Sequence, residues 1–226
     1  MWSAVLGVVA IAALGARLVY NFQKARARRQ ADTETLFAGV LKVIEEPVFE
    51  QQDDRGFPRL SGRYGGFPIQ IKPVVDTLAI RRLPALWLLV TLQDRLPVKA
   101  RFDMMMRPSG PTTFSNFDLL PQTLEHSEGF PEHAVIRTDD TEEVMPASII
   151  KPHVGLFFGP RAKELLITEN GLRMVWLLAE ADRARYGIFR QAEFGTVEID
   201  PKVLKDILDC LFAIRQAILD WDKSKQ

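Results

Sequence analysis

The feature that most constrains this chain is an apolar run at its N-terminus, residues 2–22. No charged side chain occurs between residues 4 and 16, and about twenty apolar residues are enough for a helix to cross the roughly 30 Å hydrocarbon core of a bilayer. Arg17 interrupts the run near its end, where its long side chain can reach the headgroups. The run therefore predicts a single transmembrane anchor over residues 1–23.

Aromatic and basic side chains at the two ends of this run predict where it meets the membrane interfaces. The set comprises Trp2, Arg17, Tyr20, Lys24, Arg26, Arg28 and Arg29. All the basic side chains lie towards the C-terminal end, so the positive-inside rule predicts an N-terminus outside and a C-terminal domain in the cytoplasm. The cluster at residues 24–29 is also expected to contact anionic lipid headgroups. Cys210 is the only cysteine, so no intramolecular disulfide can form.

Two other interpretations of the apolar run remain open, a cleaved signal peptide and a buried core helix. A signal peptide begins with a positive segment, which Met1–Ser3 lacks apart from the terminal amine, but the small residues between Ala10 and Ala16 leave a cleavage site conceivable. A core helix is not expected to end in a cluster of lysine and arginine. The uncleaved anchor is the interpretation that we adopt.

The formal net charge of zero hides an asymmetry between the two parts of the chain. Residues 1–30 carry five basic and no acidic side chains, so residues 31–226 carry 24 basic and 29 acidic ones, a net charge of −5. Binding to the phosphates of nucleic acid needs a basic face. An acidic domain behind a basic segment therefore argues against nucleic acid as a partner.

Residues 24–46 are expected to form a basic juxtamembrane segment and a helical neck. Apolar side chains recur at helical spacing between Leu36 and Ile44, and Pro47 ends the pattern. This apolar stripe must be buried, either against the domain that follows or against a helix of a partner.

Residues 47–226 predict one cytoplasmic α+β domain with a mainly antiparallel sheet and a C-terminal covering helix. Gly65-Gly66 and Asn170-Gly171 are signals for two hairpins, and Asp200-Pro201 is a signal for the start of a long amphipathic helix. Strands are expected at residues 60–64, 67–75, 86–92, 98–106, 134–138, 163–168, 172–178 and 185–194. Alternation along residues 98–106 assigns Val98, Ala100 and Phe102 to the core and Lys99, Arg101 and Asp103 to solvent.

The motifs of catalysis are weak in this chain. There is no Gly-x-Ser-x-Gly nucleophile elbow and no Walker A loop. His126 and His133 lie among the carboxylates of residues 125–132, and Asp139, Asp140, Glu142 and Glu143 follow. This spacing does not bring the imidazoles to one metal ion, so a solvated acidic loop is the preferred interpretation. We assign no catalytic, cofactor-binding or metal-binding residue and expect no cofactor.

The loop over residues 108–131 is the expected partner-binding segment if the domain has one. A long loop without regular structure is uncommon in a compact domain unless it is functional or disordered. Phe114 and Phe117 are the possible partner-binding pair if their rings are exposed, and the loop is a lid on the core if the rings are buried.

The resulting function hypothesis is a single-pass, membrane-anchored interaction or structural protein that binds and does not turn over a substrate. Its expected partners are the lipid bilayer through residues 2–22, anionic headgroups near residues 24–29 and an unidentified protein. The alternative is a membrane-tethered hydrolase or metal-dependent enzyme that uses residues 125–143.

Overall fold

One antiparallel sheet organises the part of the chain that the computed structural model describes, which is residues 34–50, 57–78, 83–125, 128–183 and 194–225 together with Arg17, Tyr186 and Ala192. Nine strands lie in the order β1-β2-β3-β4-β9-β8-β5-β7-β6. The strands are β1 Glu45–Glu50, β2 Arg59–Tyr64, β3 Phe67–Asp76, β4 Ala85–Gln93, β5 Phe102–Met106, β6 Gln122–Leu124, β7 Ala134–Thr138, β8 Ala162–Thr168 and β9 Gly171–Glu180. The C-terminal helix, α1, spans Pro201–Lys223. Short 3-10 helices occupy Val40–Lys42, Phe117–Leu119, Ala147–Ile149, Lys151–His153 and Gly155–Phe158. The predicted α+β sheet with a C-terminal helix is confirmed.

The expected membrane anchor lies outside the described residues, except for Arg17, which is helical and exposed. The other interface residues, Trp2, Tyr20 and the basic cluster at 24–29, lie outside them as well. No helix in the described ranges has the length and apolar character needed to cross a membrane. The membrane anchor and the orientation of the protein in the membrane therefore stay predictions.

The two hairpins form where the sequence predicts them, and their glycines explain why. Gly65 and Gly66 have φ angles of 56° and 81°, the positive values that a tight two-residue hairpin turn requires. At Gly171 φ is 136°, and a Cβ atom there would lie 2.1 Å from the carbonyl oxygen of Leu92. Only glycine fits this position, because the turn brings β9 directly against the end of β4.

One apolar row crosses the whole sheet on the face that α1 covers. Paired residues run from one edge to the other in the order Phe49, Leu60, Ile71, Val90, Met174, Leu165, Met104, Ile136 and Leu124. The helix buries Leu204, Ile207, Leu208, Leu211, Ile214 and Ile218 against this face. Asp200 caps its start by accepting a hydrogen bond from the Lys202 amide at 2.8 Å, as predicted.

The C-terminal part of the expected neck, residues 34–44, packs onto the domain and is not left for a partner helix. Leu36, Phe37, Val40 and Ile44 are all buried, and the Ile199 amide donates a hydrogen bond to the Leu36 carbonyl at 3.0 Å. Residues 34–44 are therefore joined to the start of α1.

The second face of the sheet is covered by a segment without long regular structure, residues 107–121, which we call the strap. Phe114 and Phe117 of the strap pack on Leu89, Met105 and Val175. The strap is held at one end by Asp76, whose Oδ1 accepts hydrogen bonds from the amides of Leu78 and Thr113 at 3.1 and 3.4 Å.

The strand expected at residues 98–106 differs from the observed one in a way that matters for the site. The strand begins only at Phe102, and all five residues of β5 are buried. Asp103, expected to face solvent, is only 2% exposed, so that expectation is wrong. Side chains along this segment do alternate between the two faces of the sheet, but the strap covers the face that the sequence pattern assigned to solvent.

Two other segments differ less from the structure that the sequence predicts. The loop expected over residues 108–131 contains a 3-10 helix, Phe117–Leu119, and the short strand β6. Most of the strand expected over residues 185–194 lies outside the described residues, and Tyr186 within that range is helical.

The packing of α1 predicts a large effect of truncating its buried side chains. Leu208→Ala should lower the free energy of unfolding by about 2–5 kcal/mol, because a fully buried leucine leaves a cavity when it is shortened. Leu119→Ala, at a position that is 79% exposed, should cost less than about 0.5 kcal/mol. Chemical denaturation of both variants measures the difference, and equal stabilities would contradict the assignment of α1 to the core.

Candidate functional site

Two acidic side chains lie buried on the strap-covered face, near the middle of the sheet. Glu164 on β8 is 0% exposed, and Asp103 on the neighbouring strand β5 is 2% exposed. Carboxylates are rarely buried to this degree unless they are paired. Their partners therefore indicate what the site can do.

Glu164 is bound from two directions. The Arg173 Nη2 atom on β9 lies 3.1 Å from Glu164 Oε2, and the Ser115 hydroxyl of the strap donates a hydrogen bond to Glu164 Oε1. The same hydroxyl accepts a hydrogen bond from the Phe117 amide at 3.1 Å. One strap residue thus completes the environment of a carboxylate that the sheet has buried.

Asp103 has a different environment, because its main neighbour is a second acid. Its side chain is hydrogen-bonded to Glu164, and Arg137 on β7 is its partner across the sheet. Burial, followed by the negative charge of Glu164, raises the pKa of Asp103 to about 8. Burial also raises the pKa of Glu164, while Arg173 and Ser115 act in the opposite direction. At neutral pH, Asp103 is the protonated donor and Glu164 the carboxylate.

A cavity of about 220 Å³ lies between the strap and these side chains. Its polar wall is formed by Arg101, Asp103, Asn116, Thr168 and Arg173. Asp103 Oδ1 and Arg173 Nε are buried and have no hydrogen-bond partner within the described chain. Buried polar atoms are nearly always hydrogen-bonded, so these two enclosed atoms are among the exceptions in the described chain.

The chemistry available at this site is proton exchange and binding. A carboxylic acid beside a carboxylate can take up or release one proton near neutral pH. Within the described chain the hydroxyl that contacts the pair is that of Ser115, and it donates its hydrogen bond to Glu164, a carboxylate whose basicity is lowered by its ion pair with Arg173. A volume of 220 Å³ also lies below the roughly 300–1,000 Å³ typical of small-molecule pockets.

The predicted partner-binding pair belongs to the strap and is buried. Phe114 is 7% and Phe117 2% exposed, and the Trp87 and Phe114 ring centroids lie 5.4 Å apart. The guanidinium of Arg137 stands 5.0 Å from the centre of the Phe117 ring. Exposure was the condition for a partner-binding role, and the condition is not met. Both rings instead form a lid, because they cover the apolar side chains Leu89, Met105 and Val175 beside the Glu164–Arg173 pair.

The acidic and histidine region is not brought together with the buried acids. His126 lies outside the described residues, and Glu125, Glu128, Glu132 and His133 are exposed. Asp140 Oδ1 caps a turn by accepting a hydrogen bond from the Glu142 amide at 2.8 Å. Asp139 pairs with Arg101, and Glu143 pairs with Lys99. Within the described residues, no group of three histidine, cysteine, aspartate or glutamate side chains is placed to hold a metal ion.

Sequence patterns missed Asp103, Glu164 and Arg173. A signal was present for Glu164, because it lies in a strand whose other positions are mostly apolar. Cys210, on α1, is half-buried, and burial raises the pKa of its thiol to about 11.

Comparison with models of protein families, with curated proteins and with solved structures finds no match for this chain.

The raised pKa of Asp103 predicts a particular dependence of stability on pH. The folded state holds this proton more tightly than the unfolded state, so the contribution to stability is complete below about pH 4 and is lost as pH rises towards 8. Asp103→Asn keeps a donor for Glu164 and cannot ionise. The stability of the variant relative to the natural chain should increase between about pH 4 and 8, by at most about 1.4 kcal/mol per unit, and then level off. Chemical denaturation at several pH values measures the difference in free energy of unfolding between the variant and the natural chain. A difference that does not change with pH would contradict the assignment of Asp103 as a buried acid.

Proposed function

We propose that this chain is a membrane-anchored binding protein. A helix over residues 2–22 spans the bilayer, residues 24–29 lie near anionic headgroups, and the α+β domain binds a protein partner on the cytoplasmic side. The protein works by binding and not by turnover.

The observation that carries this proposal is the position of exposed apolar side chains beside the point where the chain enters the domain. Leu41, Val48 and Phe49 are 37%, 55% and 46% exposed. All three belong to the first described segment behind the expected anchor, and the whole of β1 is exposed at one edge of the sheet. Val48 and Phe49 project to opposite faces of this edge strand, so apolar side chains are exposed on both sides of the edge, and exposed apolar surface of this kind supports an interaction site.

The length of the connection supports a partner that is also at the membrane. Twelve residue steps separate residue 22 from Glu34. They span at most about 40 Å when extended and about 18 Å when helical. Because residues 34–44 are packed on the domain, the point where the chain joins the domain, at residue 34, stays within that reach of the bilayer surface.

The geometry of β1 favours recognition through side chains over open-ended strand pairing. Glu46 has a φ angle of 51°, the register with β2 shifts between Glu45 and Val48, and Pro47 has no amide hydrogen to donate. A bulge and a proline are devices that protect an exposed edge from aggregation. Only Val48–Glu50 is left with regular edge geometry.

The enzyme alternative receives less support from the described residues. Its carboxylates at 139–143 cap a turn or form exposed ion pairs. General acid–base catalysis by such groups would need environments that move their pKa values apart, and that arrangement is found at Asp103 and Glu164 instead.

The topology has its own test. A reporter enzyme that is active only in the cytoplasm, fused after Gln226, should be active, and the mature protein should retain Met1 or Trp2, because the basic cluster holds the C-terminal side inside. Replacement of the basic cluster by glutamine, at Lys24, Arg26, Arg28 and Arg29, should reduce the fraction of molecules whose C-terminus lies in the cytoplasm. Reporter activity outside the cytoplasm, or a mature N-terminus beyond Gly15, would refute the anchor.

The partner surface is tested by capture from membranes. Leu41→Ser with Val48→Ser should reduce recovery of crosslinked protein partners from detergent extracts at least about fivefold, since apolar anchors at an interface cost about 1 kcal/mol or more each when removed. Leu119→Ser with Phe158→Ser is the matched control, because these side chains are at least as exposed but lie elsewhere in the fold. Equal loss in both double variants, or no loss in the first, would reject this surface.

A further inference from the structure

The strap covers two carboxyl groups that can be neighbours only while one of them is protonated. Asp103 and Glu164 are hydrogen-bonded to each other, and both are buried. Two carboxylate oxygens in contact repel each other, so this hydrogen bond requires a proton between the two groups. Arg173 stabilises the charge of Glu164, and the proton therefore belongs to Asp103.

The strap is attached to this same pair of acids. The Ser115 hydroxyl donates a hydrogen bond to Glu164 and accepts one from the Phe117 amide, so the carboxylate fixes the turn between the two aromatic rings of the strap. Arg137, the partner of Asp103 across the sheet, stands over the Phe117 ring. Its guanidinium also donates hydrogen bonds to two strap carbonyls, at 3.3 and 3.5 Å.

The strap is the element of this site that can leave at the lowest cost. Strands β5 and β8 lie inside the sheet, and each is hydrogen-bonded to a neighbouring strand on both sides. Among the described residues, the hydrogen bonds between positions 112–120 of the strap and the sheet all involve a side chain. A segment held in this way opens more easily than strands in the middle of a sheet.

The charged groups around Asp103 leave no simple partner for a second negative charge. Those groups come from the neighbouring strands and from the chain just before β5, and they are Glu164, Arg173, Arg137 and Arg101. The charged side chains of the strap itself, Arg107 and Asp118, are exposed. Each arginine around Asp103 already has a carboxylate or carbonyl partner. An ionised Asp103 therefore needs water, which the closed strap keeps away.

We propose that the strap is a pH-sensitive switch: loss of the proton on Asp103 to solvent releases residues 107–121 from the sheet, while the strands and α1 stay folded. Release lets water reach both acids. It also exposes Phe114, Phe117 and the apolar surface of the sheet beneath them. Return of the proton closes the strap and buries the two rings again.

The direction of the pH dependence follows from where the proton is held more tightly. In the closed state, burial and the charge of Glu164 raise the pKa of Asp103 to about 8, and contact with water in the open state returns it towards its ordinary value near 4. The closed state is therefore most favoured below about pH 4. The equilibrium constant for opening should rise by at most about tenfold per pH unit up to about pH 8 and then level off.

Hydrogen exchange of the full chain in a neutral detergent, read by mass spectrometry of peptides from the strap and from α1, tests the switch. Observed rates are divided by the intrinsic rates at each pH, because intrinsic exchange also accelerates with pH. The amides of Phe117 and Leu120, both hydrogen-bonded in the closed strap, report on opening. Their protection should fall at least about tenfold between about pH 6 and 8.

Low concentrations of urea distinguish opening of the strap from unfolding of the whole domain. Exchange in the strap should hardly respond to urea, because opening exposes little surface, whereas exchange in α1 should accelerate. Strap and α1 amides with the same protection and the same response to urea would overturn the proposal. Strap protection that does not change between about pH 6 and 8 would overturn it as well.

Asp103→Asn separates the proton from the rest of the site. The amide keeps a donor for Glu164 and cannot ionise, so protection of the strap should change less than about threefold between about pH 6 and 8. Asp118→Asn removes an exposed carboxyl group of the strap and is the matched control, which should keep the natural pH dependence. A natural pH dependence in Asp103→Asn would contradict the switch.

Ser115→Ala tests the connection between the strap and the acids. Without the hydroxyl, Glu164 loses a hydrogen bond, so protection of the strap at pH 6 should fall at least about fivefold. Ser109→Ala, at an exposed serine of the strap, should change protection less than about threefold. Equal protection in the two variants would reject the connection. The capture experiment on Leu41 and Val48 does not depend on this result.

Discussion

The whole domain depends on keeping both faces of the central strands of its nine-stranded sheet out of water. An antiparallel sheet can leave one face solvated, but here apolar side chains stand on both faces of the central strands. The two faces are covered by different means. A regular helix with an apolar stripe covers one face, and a strap with two aromatic rings and a polar turn covers the other.

This difference explains why the acids are found on the strap side. A helix face would offer Glu164 mostly aliphatic neighbours, whereas the strap supplies the Ser115 hydroxyl as well as Phe114 and Phe117. In a medium of low dielectric two adjacent carboxylates cannot both be ionised cheaply, so one keeps its proton and the other takes the arginine. The result is a buried site whose net charge is set by a single proton.

Much of the fold could be predicted because it is encoded locally. Gly65-Gly66 and Gly171 require backbone conformations that few other residues adopt, and Asp200-Pro201 defines a helix start within three residues. The site could not be predicted in the same way. Asp103 and Glu164 come from β5 and β8, which are neighbours in the sheet although β6 and β7 lie between them in the chain, and alternation cannot show which face a distant loop will cover. Aromatic residues in the loop pointed correctly to a lid as one alternative, but gave no indication of what lay beneath it.

The hydrogen bond between Leu36 and Ile199 has a mechanical consequence. A force that arrives along the chain from its N-terminal side first meets residues 34–44, which are held by buried Leu36, Phe37 and Val40 and joined to the start of α1. The load is therefore taken by a compact apolar plug and by the helix that closes the core. The edge strand β1 lies behind this plug, so its hydrogen bonds to β2 would not be pulled apart one by one before the plug itself gave way.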